Sequence, residues 1–320
     1  MNTQKPVSLR FFSINPLLVF LFTFSLFFLL TSCSGLSSGK NQPPTSAEFA
    51  ASGSDGIVLS FAADQPPATI FTGTPLSVFL EVRNKGTFSV PAVSLYLSGF
   101  DPAIIQGLTS TYVLSQQIDA KTQFNPEGGY QTASFNSAPI QLAQAMTTYK
   151  PTLLVTACYP YQTNANPLVC IDPRPQDKLS DKACAVQKSY SAGGTQGAPV
   201  SVSNVEAEAT PAAQFFRIHI QNTQSQQGSV YDIGALSHCP NQLDYNELNK
   251  VNYQVSLAGG KVPSCQPPSP IRLANNMATI FCKFEGLSGS AYQTPLTIRL
   301  DYGYKNSISK EIQIQNTQFS

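Results

Sequence analysis

From Asp55 onward, apolar and polar residues alternate in short runs bounded by Gly, Pro and Asn. This period of two is the mark of half-buried β-strands. It predicts strands at Ile57 to Phe61, Leu76 to Val82, Val93 to Leu97, around Tyr112 to Leu114, and Pro151 to Tyr161. Gln162 to Pro167 reads as a loop returning the last of these into Leu168 to Ile171 as a β-hairpin. The stretch 101–149 shows no clear period. Helical spacing is scarce, and Asp244 to Lys250, with Asp244 as N-cap, is the best window for one turn of helix.

The pattern then repeats. Val78 to Asn84 and Phe216 to Asn222 match apolar for apolar and end on the same residue. Leu153, Val155 and Ala157 before Tyr159-Pro160-Tyr161 match Leu296, Ile298 and Leu300 before Tyr302-Gly303-Tyr304, and Val169 and Ile171 match Ile312 and Ile314. These matches imply an internal duplication, with residues 55–192 and 200–320 as two modules of ordinary domain size and the Gly-rich 193–199 as a flexible linker. Each alternating strand buries one face only, so such strands need a covering sheet. The fold class expected is all-β, two tandem immunoglobulin-like β-sandwich domains.

The first 54 residues differ. Lys5 and Arg10 precede the apolar run Phe11 to Leu30, the pattern of an export signal. An uncleaved membrane helix is the alternative, against which Asn15-Pro16 shortens the apolar core. Either choice places the rest of the chain outside the cytoplasm. Residues 34–54, rich in Ser, Gly, Pro, Thr and Ala, read as a flexible tether.

Charged residues make up 12% of the chain and the net charge is +1. The usual charged fraction is about a quarter, and so small a net charge supplies no field that would draw nucleic acid. Of seven cysteines, Cys158, Cys170, Cys184, Cys239, Cys265 and Cys282 form an even set of disulfide candidates in an oxidising compartment. They fall three to a module, so full pairing demands a bridge between modules. Cys158 with Cys170 and Cys170 with Cys184 are rival pairs; Cys265 with Cys282 is expected, and Cys184 with Cys239 would lock the modules together.

Leu30-Thr31-Ser32-Cys33-Ser34-Gly35 resembles the lipobox of prokaryotic lipoproteins. The resemblance implies a signal peptide over residues 1–33 with Cys33 as the lipid-bearing first residue of the mature protein. Gly56 to Gly86, with its Thr74-Pro75-Leu76-Ser77-Val78 entry and Val82-Arg83-Asn84-Lys85-Gly86 exit, resembles CARDB-type immunoglobulin-like modules of prokaryotic surface proteins. Together with the lipobox and the Leu300 to Tyr304 segment, it is similar to exported proteins of archaea. The chain departs from the antibody pattern in having no Trp and no early-strand Cys to pair with Cys158.

A search for chemistry finds little. His219 lies on the polar face of a strand, and His238 adjoins Cys239 without the spacing of a zinc site. Ser-x-x-Lys occurs at Ser37 to Lys40 and Ser307 to Lys310, neither of them helical as that chemistry needs. Asp172 and Asp177, beside Arg174, Lys178 and Asp181, read as a solvated mixed-charge loop. Tyr159, Tyr161, Tyr302 and Tyr304 read as rings closing the end of each sandwich, with a tyrosine binding platform as the alternative. No catalytic, cofactor or metal residues are expected. The expected protein is a non-enzymatic structural or adhesive element, tethered to the membrane by lipid or helix, with a protein partner at the cell surface. The alternatives are a subunit of a secretion or pilus-type complex, which would pair through an exposed sheet edge, and an accessory module of a surface hydrolase.

Overall fold

The computed structural model describes residues 52–177, 182–224, 226 and 228–316; Cys33, the signal segment and most of the tether lie outside them. The first half forms β1 (Ile57–Phe61), β2 (Thr69–Phe71), β3 (Pro75–Asn84), β4 (Val93–Ser98), β5 (Thr111–Leu114), β6 (Tyr130–Pro139), β7 (Thr148–Tyr149), β8 (Thr152–Ala165), β9 (Leu168–Ile171) and β10 (Ser189–Tyr190). The second forms β11 (Val200–Thr210), β12 (Ala213–Asn222), β13 (Gly228–Tyr231), β14 (Lys250–Leu257), β15 (Ser264–Gln266), β16 (Ile271–Arg272), β17 (Met277–Glu285), β18 (Tyr292–Glu311) and β19 (Gln313–Gln315). The all-β expectation holds. Asp244 to Lys250 is a turn and not a helix, because the Glu247 carbonyl accepts from the Asp232 N–H (2.7 Å) and Leu248 bridges to Tyr231, which draws the chain into the extended form; one 3-10 segment, Ile233–His238, is capped by Asp232.

The two halves repeat one strand arrangement. β1-β3-β6 corresponds to β11-β12-β17, and the outer ends of the large sheet, β5-β4-β8 and β16-β14-β18, correspond to one another. Alternation explains each strand: Leu76, Val78, Leu80 and Val82 of β3 are buried, as are Phe216, Ile218 and Ile220 of β12. Burying such side chains contributes about 1.5–3 kcal/mol each.

The two halves are joined through a shared sheet. β8 pairs with β18 from Thr152↔Glu311 to Ala165↔Ile298, the longest ladder among the described residues, so the two modules share one sheet. β8 and β9 do not form a hairpin. After a step at Asn166-Pro167 the chain runs on along β18, with Leu168↔Pro295 to Ile171↔Tyr292, and β19 does the same against β7. The expected loop reads as polar, yet Thr163 within it is buried and satisfied by the Val200 carbonyl (2.6 Å) and the Tyr302 hydroxyl (3.0 Å). Hydrogen bonds to the other half let a polar residue continue the strand.

This ladder has a local twofold. Tyr159, the counterpart of Tyr302, faces Tyr304; Tyr161, the counterpart of Tyr304, faces Tyr302. All four rings are buried and touch across the axis, with centroids 5.9 Å apart for Tyr159 and Tyr304 and 6.0 Å for Tyr161 and Tyr302. They are core at the junction of the halves, and not the ends of two sandwiches. Tyr159 accepts the Ile57 N–H (3.1 Å) and Tyr302 accepts the Val200 N–H (3.2 Å), the same bond made twice. Burial, with the neighbouring rings adding to it, holds the Tyr159 hydroxyl well above its ordinary range, and burial does the same for Tyr302.

The 193–199 linker is also pinned. Gln196 and Ala198 are buried, the Gln196 side chain bonds both N and O of Val202 (2.8 and 3.2 Å), and the Gly197 carbonyl accepts from Thr87 N (2.9 Å) and from the Tyr161 hydroxyl. Polar composition suggested a flexible break, but these groups are consumed by specific partners.

All six candidate cysteines are paired: Cys158–Cys239, Cys170–Cys184 and Cys265–Cys282. Cys265 with Cys282 is as expected, and Cys170 with Cys184 is the rival pair. The bridge between halves exists but uses Cys158, because Cys158 sits on β8 beside the segment that follows the 3-10 turn. Three disulfides point to an oxidising compartment. Among the described residues, no helix is long and apolar enough to cross a membrane.

Candidate functional site

Packing must be repeated when a module is duplicated, whereas a binding surface need not be. On the outer face of the second half's sheet the copies differ. With Phe216, Ile218 and Ile220 of β12 facing inward, Phe215, Arg217 and His219 face out; on β17, Ile280, Cys282 and Phe284 are buried, so Thr279, Phe281 and Lys283 share that outer face. Register then sets the rows. Glu208, Phe215, Lys283 and Ser264 lie side by side across β11, β12, β17 and β15, and Glu206, Arg217, Phe281 and Gln266 form the next row.

These rows line a cleft of about 760 Å³, to which Lys188 also contributes. Phe215 is 37% and Phe281 51% exposed. The Arg217 guanidinium lies 5.2 Å from the Phe281 centroid, and the Lys283 ammonium 5.6 Å from that of Phe215. Arg217 also pairs with Glu206 at 2.5 Å, and this bond, with help from His219, holds the Glu206 carboxyl below its ordinary range. The Lys283 side chain pairs with Glu285, whose carboxyl is lowered by that contact. The edge is held by the Cys265–Cys282 bridge between directly opposed residues, Cα atoms 4.1 Å apart.

The first half carries other residues at these places, and its own ring–cation pair, Arg83 with Tyr130 at 5.0 Å, lies at the far end of the ladder. At the positions of Phe215, Arg217, Phe281 and Lys283 stand Ser77, Phe79, Ser134 and Asn136, as the two ladders align from Asn84 and Asn222. The aromatic stripe was legible in the alternation of β12 and β17, but the pairing of those strands, which sets Phe beside cation, was not.

His219 is half-buried. Its Nε2 lies 3.2 Å from Glu206 Oε1 and its Nδ1 3.2 Å from Thr279 Oγ1. A hydroxyl, an imidazole and a carboxylate in line resemble the relay of acyl-transfer enzymes. That chemistry also needs donors preorganised for an oxyanion, and a sheet directs its backbone N–H groups along its own plane while Thr279 stands perpendicular to it. The row reads as a polar ladder orienting Glu206 beneath a second depression of about 650 Å³.

The remaining candidates disperse. His238 pairs with Glu247 (Nδ1 to Oε1, 2.6 Å), and its neighbour Cys239 is oxidised. Among the described residues, no group of three His, Cys, Asp or Glu is placed to hold a metal. Ser307 and Lys310 lie on β18; Ser37, Lys40, Lys178 and Asp181 lie outside the described residues. Asp172 is not solvated: it is buried and bonded to Lys182 Nζ at 2.7 Å, while Arg174 pairs with Asp177 at the surface. The strand extension of β9 carries Asp172 inward, and the lysine answers its charge.

With fold and cleft in view, the molecule is an all-β, disulfide-bridged sandwich protein of two like halves. No family model matches the chain, and no curated protein does. Among solved structures, Escherichia coli alpha-2-macroglobulin activated by porcine elastase aligns with a TM-score of 0.19 and 12% identity, over 81% of this chain and 32% of that one. The chain thus spans about a third of the macroglobulin's length. The CupB6 tip adhesin from Pseudomonas aeruginosa aligns with a TM-score of 0.14 and 8% identity, over 82% of this chain and 96% of that one. Scores this low leave the function to be argued from the site.

Proposed function

We propose that this protein is a membrane-tethered, extracytoplasmic structural or adhesive element without catalytic activity, in the lineage of CARDB-type surface modules, carrying lipid on Cys33 and making contact through the outer face of its second half. The observation that supports the contact surface is the pair of exposed rings, Phe215 and Phe281, which line a cleft at positions where the first half carries Ser77 and Ser134. Exposed apolar surface rimmed by polar groups is a mark of interaction sites, and aromatic and Arg side chains dominate such contacts. Rigidity supports the reading too, since a shared sheet and a bridge between halves suit a load-bearing element.

The test is surface attachment of cells carrying the Phe215→Ala and Phe281→Ala double variant. Loss of two anchors at about 2 kcal/mol each predicts attachment weakened by roughly a thousandfold in equilibrium terms. Unchanged attachment by a correctly folded variant overturns the assignment of this face. The mass of the mature N-terminal peptide tests the lipid independently.

A second reading, a subunit of an envelope assembly, is favoured by one feature: β6 is a ten-residue edge strand with no charged residue.

A further inference from the structure

The edge of the first half is open where that of the second is closed. Among the described residues, β6 pairs with β3 alone. Asn84 N donates to Gly129 O (2.9 Å), so the narrow pairs of this antiparallel ladder fall at Gln131, Ala133 and Phe135. The N–H and C=O groups of Tyr130, Thr132, Ser134 and Asn136 are therefore aimed away from β3. Near its end Ala138 N donates to Gln106 O (2.8 Å), and near its start the Gln131 side chain donates to the Gln116 carbonyl (2.8 Å); the outward backbone groups of Thr132, Ser134 and Asn136 lie between these contacts.

The second half shows what fits such an edge. There β17 takes the place of β6, and β15 lies against it antiparallel, Ser264, Cys265 and Gln266 facing Lys283, Cys282 and Phe281. Through the aligned ladders, those β17 residues correspond to Asn136, Phe135 and Ser134. Phe135 stands where Cys282 forms its bridge, so no disulfide draws a covering strand onto β6.

We infer that the open edge of β6 pairs with the β6 of a second copy, antiparallel about a twofold axis, so that two first halves form one continuous sheet. Three features support this occupant. An antiparallel strand paired with itself meets donor with acceptor along its length. β6 reads Tyr-Gln-Thr-Ala-Ser-Phe-Asn-Ser-Ala-Pro, so an identical strand brings no like charges together, and the charged guards that proteins place on edges to prevent such pairing are missing. The chain already joins its own like halves in this way, through β8 and β18. The inference is independent of the Phe215 and Phe281 cleft.

The test measures the light-scattering mass of the mature full-length chain in detergent against concentration. The wild type is expected to dimerise. Ser134→Pro removes an N–H that points away from β3, a place where an edge strand tolerates proline. Two such bonds vanish per dimer, which raises the dissociation constant by about thirtyfold. Ser134→Lys keeps the N–H but sets like charges at the seam, and weakens the dimer in the same direction; it decides the matter alone if the proline variant loses its disulfide pairing. Phe281→Ala leaves the dimer unchanged. A wild type monomeric up to about 100 µM, including one whose β6 takes a strand from a different protein, overturns the inference, as do variants whose mass curve follows the wild type.

Discussion

Asn84 and Asn222 close the same strand in the two halves, yet they do unequal work. Asn84 Nδ2 donates to the carbonyls of Phe88 (2.7 Å) and Ile118 (3.1 Å), and its Oδ1 accepts from Gly86 N. Asn222 repeats only the last of these, through Gln224 N at 3.2 Å, and its buried Nδ2 has no partner among the described residues. Around them the same contrast recurs: Pro160 sits opposite Gly303 at the centre of the ladder, and β13 pairs along β18 at Gly303 in the second half only. Gly303 admits this because a Cβ there would come within 2.3 Å of the Tyr231 ring. Duplication preserved the ladder and the ring cluster, which both halves need at once. Edges and outer faces, free of that constraint, diverged.

The largest expected effect tests what the halves hold in common. Tyr159, Tyr161, Tyr302 and Tyr304 all have hydroxyls raised by burial. In the unfolded chain they ionise near 10, and the folded state keeps its protons longer. Their contribution is full below pH 10 and is lost as pH rises beyond it. Each contributes a slope of about 1.4 kcal/mol per pH unit, so the four together give roughly 5 kcal/mol per unit. Tyrosinate absorbance should rise abruptly with a single loss of circular dichroism in both halves. Two separated transitions would break the picture of one shared core.

Next in size is the bridge between halves. Replacing Cys158 and Cys239 by Ser frees a loop of 81 residues, a change expected to cost about 4.5 kcal/mol. Denaturant unfolding should show the loss while the β8 and β18 ladder keeps the transition single. A variant as stable as the wild type would mean that the ladder alone fixes the halves.

The smallest effect sharpens the asymmetry. Asn84→Ala leaves two carbonyls and an N–H without their partner, at a cost of about 2–3 kcal/mol, whereas Asn222→Ala should cost about 1 kcal/mol. Equal costs, measured by denaturant midpoints, would mean that the extra bonds of Asn84 carry no net weight.

Much of this was legible in the chain. Strands β1, β3, β4 and β5 stand where alternation puts them, and the repeat of Leu153 to Tyr161 in Leu296 to Tyr304 marks equivalent strands. What misled was the partner. A turn-like Gln162 to Pro167 suggests a hairpin when only local pairing is considered, but the partner strand lies in the other half. The same gap hid the aromatic cleft, since Arg217 meets Phe281 only after β12 pairs with β17.

The sequence by itself determined the strands, the inward face of each, the duplication and the need for a bridge between halves, because period two and a count of cysteines depend on nothing beyond the chain. Tertiary structure decided which strands are neighbours, which cysteines meet, and that the linker is rigid and the tyrosines central. The physical reason is that a strand satisfies half its hydrogen bonds through residues distant in sequence, and nothing local states which of several apolar strands will supply them.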